Sequence, residues 1–479
     1  MYGDLPHEEL ISQGRAMLEW IGEYLEHSER YPVLSQVQPG DVRRSLPSAP
    51  PEEAEPLEAI FSDFESKIIP GITHWNHPAF FGYFATSSSV PGILAEMLAA
   101  TLDVKAMLWR TSPAATELEQ LVTDWLRQML GLGDGWFGIT TDTASISSML
   151  ALVAAREAKP ELEIRERGMA GRTDLPRLRV YASPHAHSSV DKAALALGLG
   201  LENVVKVADD EEFRMRPASL AEAIAADRAK GYLPIACIAT VGTTSMSSID
   251  PVPAIAEICR RENVWLHVDG AYGGTLAVVP EYRYILDGVD AADSFVVNPH
   301  KWLFTPFDCS VFFVKRPDVL KRAFSLVAEY LVTRDADDVV NYMDYGVQLG
   351  RKFRALKLWM VIRAFGTKGL ADRLRSHCAL ARTFAGWVKA TNDWELMAPV
   401  PFSLVCFRYA PAGVSDAECD RMNEAIMHAV NADGEVFLSH TKLNGRYTLR
   451  LAIGNIRTEE RHIALAWEQL KQHQRAIQR

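Results

Sequence analysis

Val264-Trp265-Leu266-His267-Val268-Asp269-Gly270-Ala271-Tyr272-Gly273-Gly274 is the stretch on whose reading the fold turns. Residues 264–268 form a mostly apolar run without regular alternation. A strand wetted on one face alternates; a continuous run is the pattern of a strand covered on both faces, as in a parallel sheet sandwiched between helices. The run ends on a carboxylate and a turn of small residues. Ligands of such sheets sit beyond the carboxyl ends of the strands, so Asp269 stands where chemistry is done. A carboxylate there is costly unless a cation or hydrogen-bond donors meet it.

Working outward, residues 178–181, 235–241, 295–297 and 311–314 are runs of the same kind, with helical segments such as 252–261 between several of them. This is βαβ logic and predicts an α/β domain with a mostly parallel central sheet over residues 81–365. Within it, Ser112-Pro113 opens a helix, and Leu118, Leu121, Val122, Trp125, Leu126 and Met129 recur at helical spacing until Gly131 closes it. Residues 1–80 read as a helical arm: an amphipathic stretch over 8–26, a Pro-rich connector over 45–51 and a second helix over 53–67. The arm is too small for a core of its own and must pack on something else, a partner subunit being one candidate. Residues 366–479 read as a small α+β domain. Its elements are a helix near 369–390, a strand at 404–408, a helix at 416–430, strands at 436–438 and 448–453, and a final helix at 459–473.

The composition excludes several classes. The 479 residues are 48% hydrophobic and 23% charged, which is neither disordered, collagen-like nor coiled-coil. A net charge of −11 argues against nucleic acid and anionic membranes as partners. No apolar run approaches the roughly 18 residues of a membrane helix. The N-terminus shows no secretory signal pattern, and the six scattered cysteines read as reduced thiols. A soluble cytoplasmic protein is expected.

Common cofactor fingerprints, GxGxxG after a strand, GxxxxGK[ST] and HExxH, are missing. The His74/His77 and His185/His187 pairs lack partners at metal-ligand spacing, so no metal is expected. Strand 295–297 runs into Asn298-Pro299-His300-Lys301-Trp302. A lysine between an apolar strand and an aromatic ring can have a lowered pKa and act as an amine nucleophile; an Asp–Lys ion pair at a structural turn is the plainer alternative. Thr140-Thr141-Asp142-Thr143-Ala144-Ser145 precedes an apolar helix over 146–156, which offers either an anion site or ordinary N-capping. An acid, a lysine and a phosphate cradle together fit pyridoxal 5′-phosphate (PLP), which needs a Schiff-base lysine, an acid on its pyridine nitrogen and a phosphate pocket.

These segments, with Ala186-His187-Ser188-Ser189, resemble those of the group II PLP-dependent decarboxylases, and among them the aromatic-L-amino-acid decarboxylases. The stretches from His77 to Phe84, Ser112 to Glu119 and Leu349 to Arg354 match as well. The resemblance implies a fold type I PLP-dependent transferase large domain and a homodimer with a shared active site. It implies that Lys301 carries PLP, that Asp269 pairs with the pyridine nitrogen, and that His187 stacks on the ring and meets the substrate carboxylate. Ala144, Ser145 and Asn298 would hold the phosphate, Ala271 would pack on the ring, Thr243 would sit near its edge and His300 would line the pocket. Tyr330 matches the tyrosine of the family's catalytic loop. Trp75, Phe84 and Thr86 would line the substrate pocket, while Leu349 and Gly350 would enter it from the partner subunit.

The implied reaction is decarboxylation of tryptophan, tyrosine, phenylalanine or dihydroxyphenylalanine to the amine, with Tyr330 protonating Cα. Gly350 leaves more room than serine, a contrast that tracks indole against phenol preference in plant relatives. The nearest rival is an aromatic acetaldehyde synthase, where the loop tyrosine is typically phenylalanine. A glutamate decarboxylase would want a cationic wall. A non-catalytic binding or scaffold protein would not need Lys301, Asp269 and His187 intact. Two departures stand out: Asp142 replaces a glycine of many relatives beside the presumed phosphate, and residues 341–346 differ from animal and plant members.

Overall fold

The structure is a computed structural model that describes residues 4–326 and 339–477. Two compact units emerge, one of residues 1–85, 383–397 and 407–479, the other of residues 86–382 and 398–406.

The larger unit is built on a seven-stranded sheet: β1 (Phe137–Thr141), β2 (Leu178–Ala182), β3 (Val204–Lys206), β4 (Leu233–Thr240), β5 (Trp265–Asp269), β6 (Ser294–Val297) and β7 (Ser310–Val314), in the order β1-β7-β6-β5-β4-β2-β3. β3, β2, β4, β5 and β6 run parallel, while β7 is antiparallel to both β6 and β1. The expected strands are all present, and β5, β6 and β7 are buried along their whole length, as continuous apolar runs require. His267, the polar residue inside β5, is tolerated because Nδ1 meets the Ser294 hydroxyl at 2.9 Å.

Two strands of this sheet were not expected. β1 hides behind Gly138 and two threonines; the glycine is needed because a Cβ there would lie 2.4 Å from Thr123 Cβ, on helix Pro113–Leu130. β3 is a three-residue edge strand too short for a periodic signal. Helix Pro113–Leu130 has the expected ends: the Ser112 hydroxyl accepts the Ala115 N–H, and Gly131 adopts φ 75°.

The smaller unit carries a four-stranded sheet, in the order β10-β11-β9-β8, of β8 (Trp394–Leu396), β9 (Leu404–Tyr409), β10 (Ser439–Leu443) and β11 (Arg446–Ala452). The strand expected at 436–438 is only an isolated bridge between Phe437 and Phe80; the strand proper starts at Ser439. The N-terminal arm shares this unit with the C-terminal segment. Val33 N–H donates to the Gly434 carbonyl at 2.7 Å, Phe81 N–H to the Phe437 carbonyl at 2.9 Å, and Arg461 forks onto Glu29. These contacts tie the stretch from Glu29 to Phe81 to the C-terminal segment of the same chain, while helix His7–Glu26 buries only Leu25. The helix expected at 369–390 is the second part of Arg354–Ala390, which is interrupted at Gly366 (φ 63°).

Candidate active site

Four neighbouring parallel strands, β2, β4, β5 and β6, end at one edge of the large sheet, and β1 points the same way through β7. The segments leaving those ends carry His187 after β2, Thr243 after β4, Asp269 on β5, Asn298 to Lys301 after β6, and Ala144-Ser145 after β1. A sheet crest of this kind concentrates side chains from distant parts of the sequence.

The β5 and β6 ends stay in register beyond the strands. Asp269 pairs with Val296, Gly270 N–H donates to the Val296 carbonyl at 3.0 Å, and Asn298 N–H donates to the Ala271 carbonyl at 3.1 Å. The Tyr272 and Trp302 rings stack at 4.6 Å and 8°, joining the residue after Ala271 to the residue after Lys301. Trp302 Nε1–H donates to His377 Nδ1 at 2.9 Å, and the Tyr272 hydroxyl meets that of Ser403. These supports were not foreseen. Tyr272 and Trp302 lay inside quoted motifs, but His377 and Ser403 carry no sequence signal because they act only through packing.

Asp269 is buried and accepts the Ala271 N–H at Oδ1, 3.0 Å. Desolvation lowers the Lys301 pKa, and the Asp269 charge opposes that. Partial desolvation likewise lowers His187, with Lys301 and Lys192 adding to it and Asp269 opposing. The three groups therefore share one electrostatic neighbourhood. His187 Nδ1 accepts the Ser189 N–H at 3.1 Å, which assigns the proton of the neutral ring to Nε2. His300 Nδ1 accepts the Cys309 N–H at 3.0 Å, and burial pushes its pKa down to about 3. The Thr243 hydroxyl is committed within its own turn to Met246 Sδ and Ser248.

Helix Ala144–Glu157 begins at the same edge. Thr143 is its N-cap residue, and the first-turn N–H groups of Ala144 and Ser145 have no acceptor in the helix. Asp142 turns its carboxylate onto the Thr143 backbone N–H at 2.6 Å, so part of the charge that looked foreign beside a phosphate is met locally. Asn298 Oδ1 is buried with no hydrogen-bond partner among the described residues. An open helix start, a buried carboxylate and a desolvated lysine form a set that fits PLP: an anionic phosphate, a basic ring nitrogen and an aldehyde.

The remaining expected residues fall as follows. Trp75 and Phe84 belong to the smaller unit, where Trp75 stacks on Phe80 at 4.4 Å and Arg450 lies 5.6 Å from the Phe84 ring. Thr86 opens the larger unit. Leu349 is exposed, and a Cβ at Gly350 would meet nothing within 4 Å. Tyr330 lies outside the described residues. The histidine pairs are otherwise engaged: His74 Nδ1 meets the Tyr24 hydroxyl and His185 Nε2 meets Asp209, each at 2.9 Å. No helix among the described residues is long and apolar enough to cross a membrane.

Comparison with known proteins places this geometry. Residues 39–410 match the pyridoxal-dependent decarboxylase conserved domain. Tyrosine decarboxylase 2 of Arabidopsis thaliana is 42% identical, covering 97% of this chain and 87% of its own. Phenylacetaldehyde synthase of the same plant is 40% identical, covering 96% and 95%. The crystal structure of Oryza sativa TDC with PLP and tryptamine superposes with a TM-score of 0.95 at 35% identity over the whole of both chains.

Proposed function

The chain belongs to the pyridoxal-dependent decarboxylase family, and from that premise we propose that it removes the α-carboxylate of aromatic L-amino acids as CO₂ and releases the amine. Its cofactor is PLP. What carries the reading is the gathering of Lys301, Asp269 and His187 at one sheet edge, where desolvation lowers the pKa of Lys301 and of His187 and the Asp269 charge opposes it in both.

When bound, PLP supplies an electron-poor pyridine ring that takes up the electron pair left by CO₂. Lys301 contributes the amine that holds the cofactor; desolvation brings its neutral, nucleophilic form within reach. Asp269 keeps a proton on the pyridine nitrogen, its buried carboxylate being a strong partner for a cation. His187 would lie over the ring and orient the substrate carboxylate, its lowered pKa favouring the neutral form. Ala144 and Ser145 would hold the phosphate through the N–H groups and dipole of their helix start, and Asn298 would join them through its side chain. Ala271 would pack on the ring, Thr243 would sit near its edge, and neutral His300 would line the pocket. Trp75, Phe84 and Thr86 form the substrate wall, and Leu349 and Gly350 complete the site of the other subunit in a cytoplasmic homodimer clasped by residues 1–80.

Tyr330 returns a proton to Cα, and this step separates the two outcomes seen among relatives. Without that proton the oxidative route opens: O₂ is reduced to hydrogen peroxide, and water replaces the amine to give aldehyde and ammonia. The deciding assay incubates the PLP-loaded protein with each aromatic L-amino acid, identifies products by mass and measures peroxide. Amine and CO₂ in equal amounts are expected; aldehyde with peroxide would move the chain to the synthase branch, and no product would overturn the reading. A yellow protein whose colour is lost in Lys301→Ala checks the anchor.

A further inference from the structure

Two of the segments that carry the family resemblance, Ser112 through Glu119 and Leu349 through Arg354, meet inside the protein at one ion pair. Helix Pro113–Leu130 buries Ala115, Glu119, Val122 and Leu126, so Glu119 is a charge on an apolar helix face. Arg351 forks onto it, Nη2 to Oε1 at 2.6 Å and Nη1 to Oε2 at 3.0 Å. The side chains are 5% and 1% exposed, so solvent screens neither charge, and either one left alone would be strongly unfavourable.

The remaining contacts of the pair go to other segments. Arg351 Nη1 donates to the Ala106 carbonyl at 3.0 Å, and Nη2 donates to the Thr140 carbonyl at 2.7 Å and hydroxyl at 3.2 Å. Thr140 N–H donates in turn to Glu119 Oε1 at 2.8 Å, and the Tyr342 ring lies 4.7 Å from the guanidinium. Arg351 immediately follows Gly350, and Thr140 lies at the end of β1, just before Ala144 and Ser145. Beside the pair is a cavity of about 150 Å³ lined by Ile146, Met149, Tyr345 and Val347. Packing there is incomplete, and the polar contacts of Arg351 tie the residue after Gly350 to Thr140 near the end of β1.

We propose that Arg351, Glu119 and Thr140 form a positioning lock that sets substrate choice, fixing the Leu349–Gly350 wall to the strand end that leads into the phosphate cradle. The inference rests on the reading of Gly350 as substrate wall and of Ala144-Ser145 as cradle. In the homodimer the wall serves the other subunit's site and the cradle serves the chain's own. One lock therefore sets the geometry of two sites.

Arg351→Lys keeps the charge but loses the planar fork that spans Glu119 and Thr140 at once. In the purified holoprotein, PLP binding is expected to weaken about tenfold, the size of one lost charge-assisted hydrogen bond. The kcat/KM ratio for tryptophan over tyrosine is expected to move about tenfold as well, since small displacements of a positioning wall alter rates by up to about a hundredfold. Glu119→Gln should shift both in the same sense, and exposed Lys352→Ala should shift neither. If Glu119→Gln does not fold, Arg351→Lys decides alone. A loss of thermal stability with both readouts unchanged overturns the lock, as does a change in only one of them. A wild-type protein without aromatic decarboxylase activity overturns the functional reading instead; the cofactor-affinity comparison then stands by itself, and an unchanged value overturns the lock.

Discussion

His300 is held neutral beside Lys301, and acidification should expose the cost of that. Its ring is buried, accepts the Cys309 N–H at Nδ1 and lies 4.8 Å from the Phe307 ring. A proton on Nδ1 would abolish the acceptor and set a second positive charge next to the lysine. Burial above all, with the Lys301 charge adding to it, pushes its pKa down to about 3, against about 6.5 in an unfolded chain. The unfolded state therefore takes up the proton first. The stability involved is fully present above the unfolded pKa, is lost as pH falls below it, and levels off near the folded value. At pH 5.0 the chain is about 1.5 units below the unfolded pKa, which at about 1.36 kcal/mol per unit makes about 2 kcal/mol. His300→Asn keeps an oxygen able to accept from Cys309 and cannot ionise. Urea unfolding of both proteins at pH 7.5 and 5.0, followed by far-ultraviolet circular dichroism, cancels every other titrating group. The wild type is expected to lose about 2 kcal/mol more than the variant between the two pH values. Equal losses would refute the reasoning. His267 and His77, both lowered to about 4 by burial, act in the same direction and should also flatten the pH dependence when replaced.

Gly273→Ala would bring a Cβ to 2.5 Å from the Val241 carbonyl oxygen and 2.7 Å from the Phe402 ring. An overpacking cost of about 1–3 kcal/mol is expected, seen as a lower melting temperature with weaker PLP retention, because the turn after Asp269 must shift. Gly350→Ser meets no atom, so stability should stay within about 0.5 kcal/mol. Its kcat/KM ratio should move from tryptophan toward tyrosine; an unchanged ratio would remove Gly350 from the substrate wall. Ser112→Ala takes away the acceptor of the Ala115 N–H and should cost about 1 kcal/mol by urea titration, with kcat/KM unaltered.

Much of the large sheet was legible in the sequence because a strand covered on both faces needs an unbroken apolar run, and β5, β6 and β7 have one. β1 was not legible, since its glycine and threonines answer to the neighbouring helix and to the chemistry at its end, neither of which leaves a periodic trace. Residues 436–438 looked like a strand for the opposite reason. Their apolar character serves contacts such as the tilted packing of the Phe437 ring on Phe80, at 5.2 Å, and not a ladder. In the candidate site, Asp269 and Lys301 could be picked out from their places at and just beyond strand ends, whereas Asn298 and His300 come only from the family resemblance. Glu119 and Arg351 could not be joined, although both lay in quoted motifs, because nothing in either segment names a partner 232 residues away.

The sequence by itself determined the α/β class, the helix ends at Ser112 and Gly131, and the residue types a PLP enzyme of this family requires, because local sterics, caps and strand burial are written in neighbouring residues. Tertiary structure alone decided which strand ends share an edge, that Tyr272 stacks on Trp302, that the N-terminal arm shares a unit with the C-terminal segment, and that Glu119 finds Arg351. Those are pairings between residues far apart in the chain. A buried charge or an open sheet end is resolved only by whatever partner the fold brings to it, and no periodicity in either segment specifies that partner.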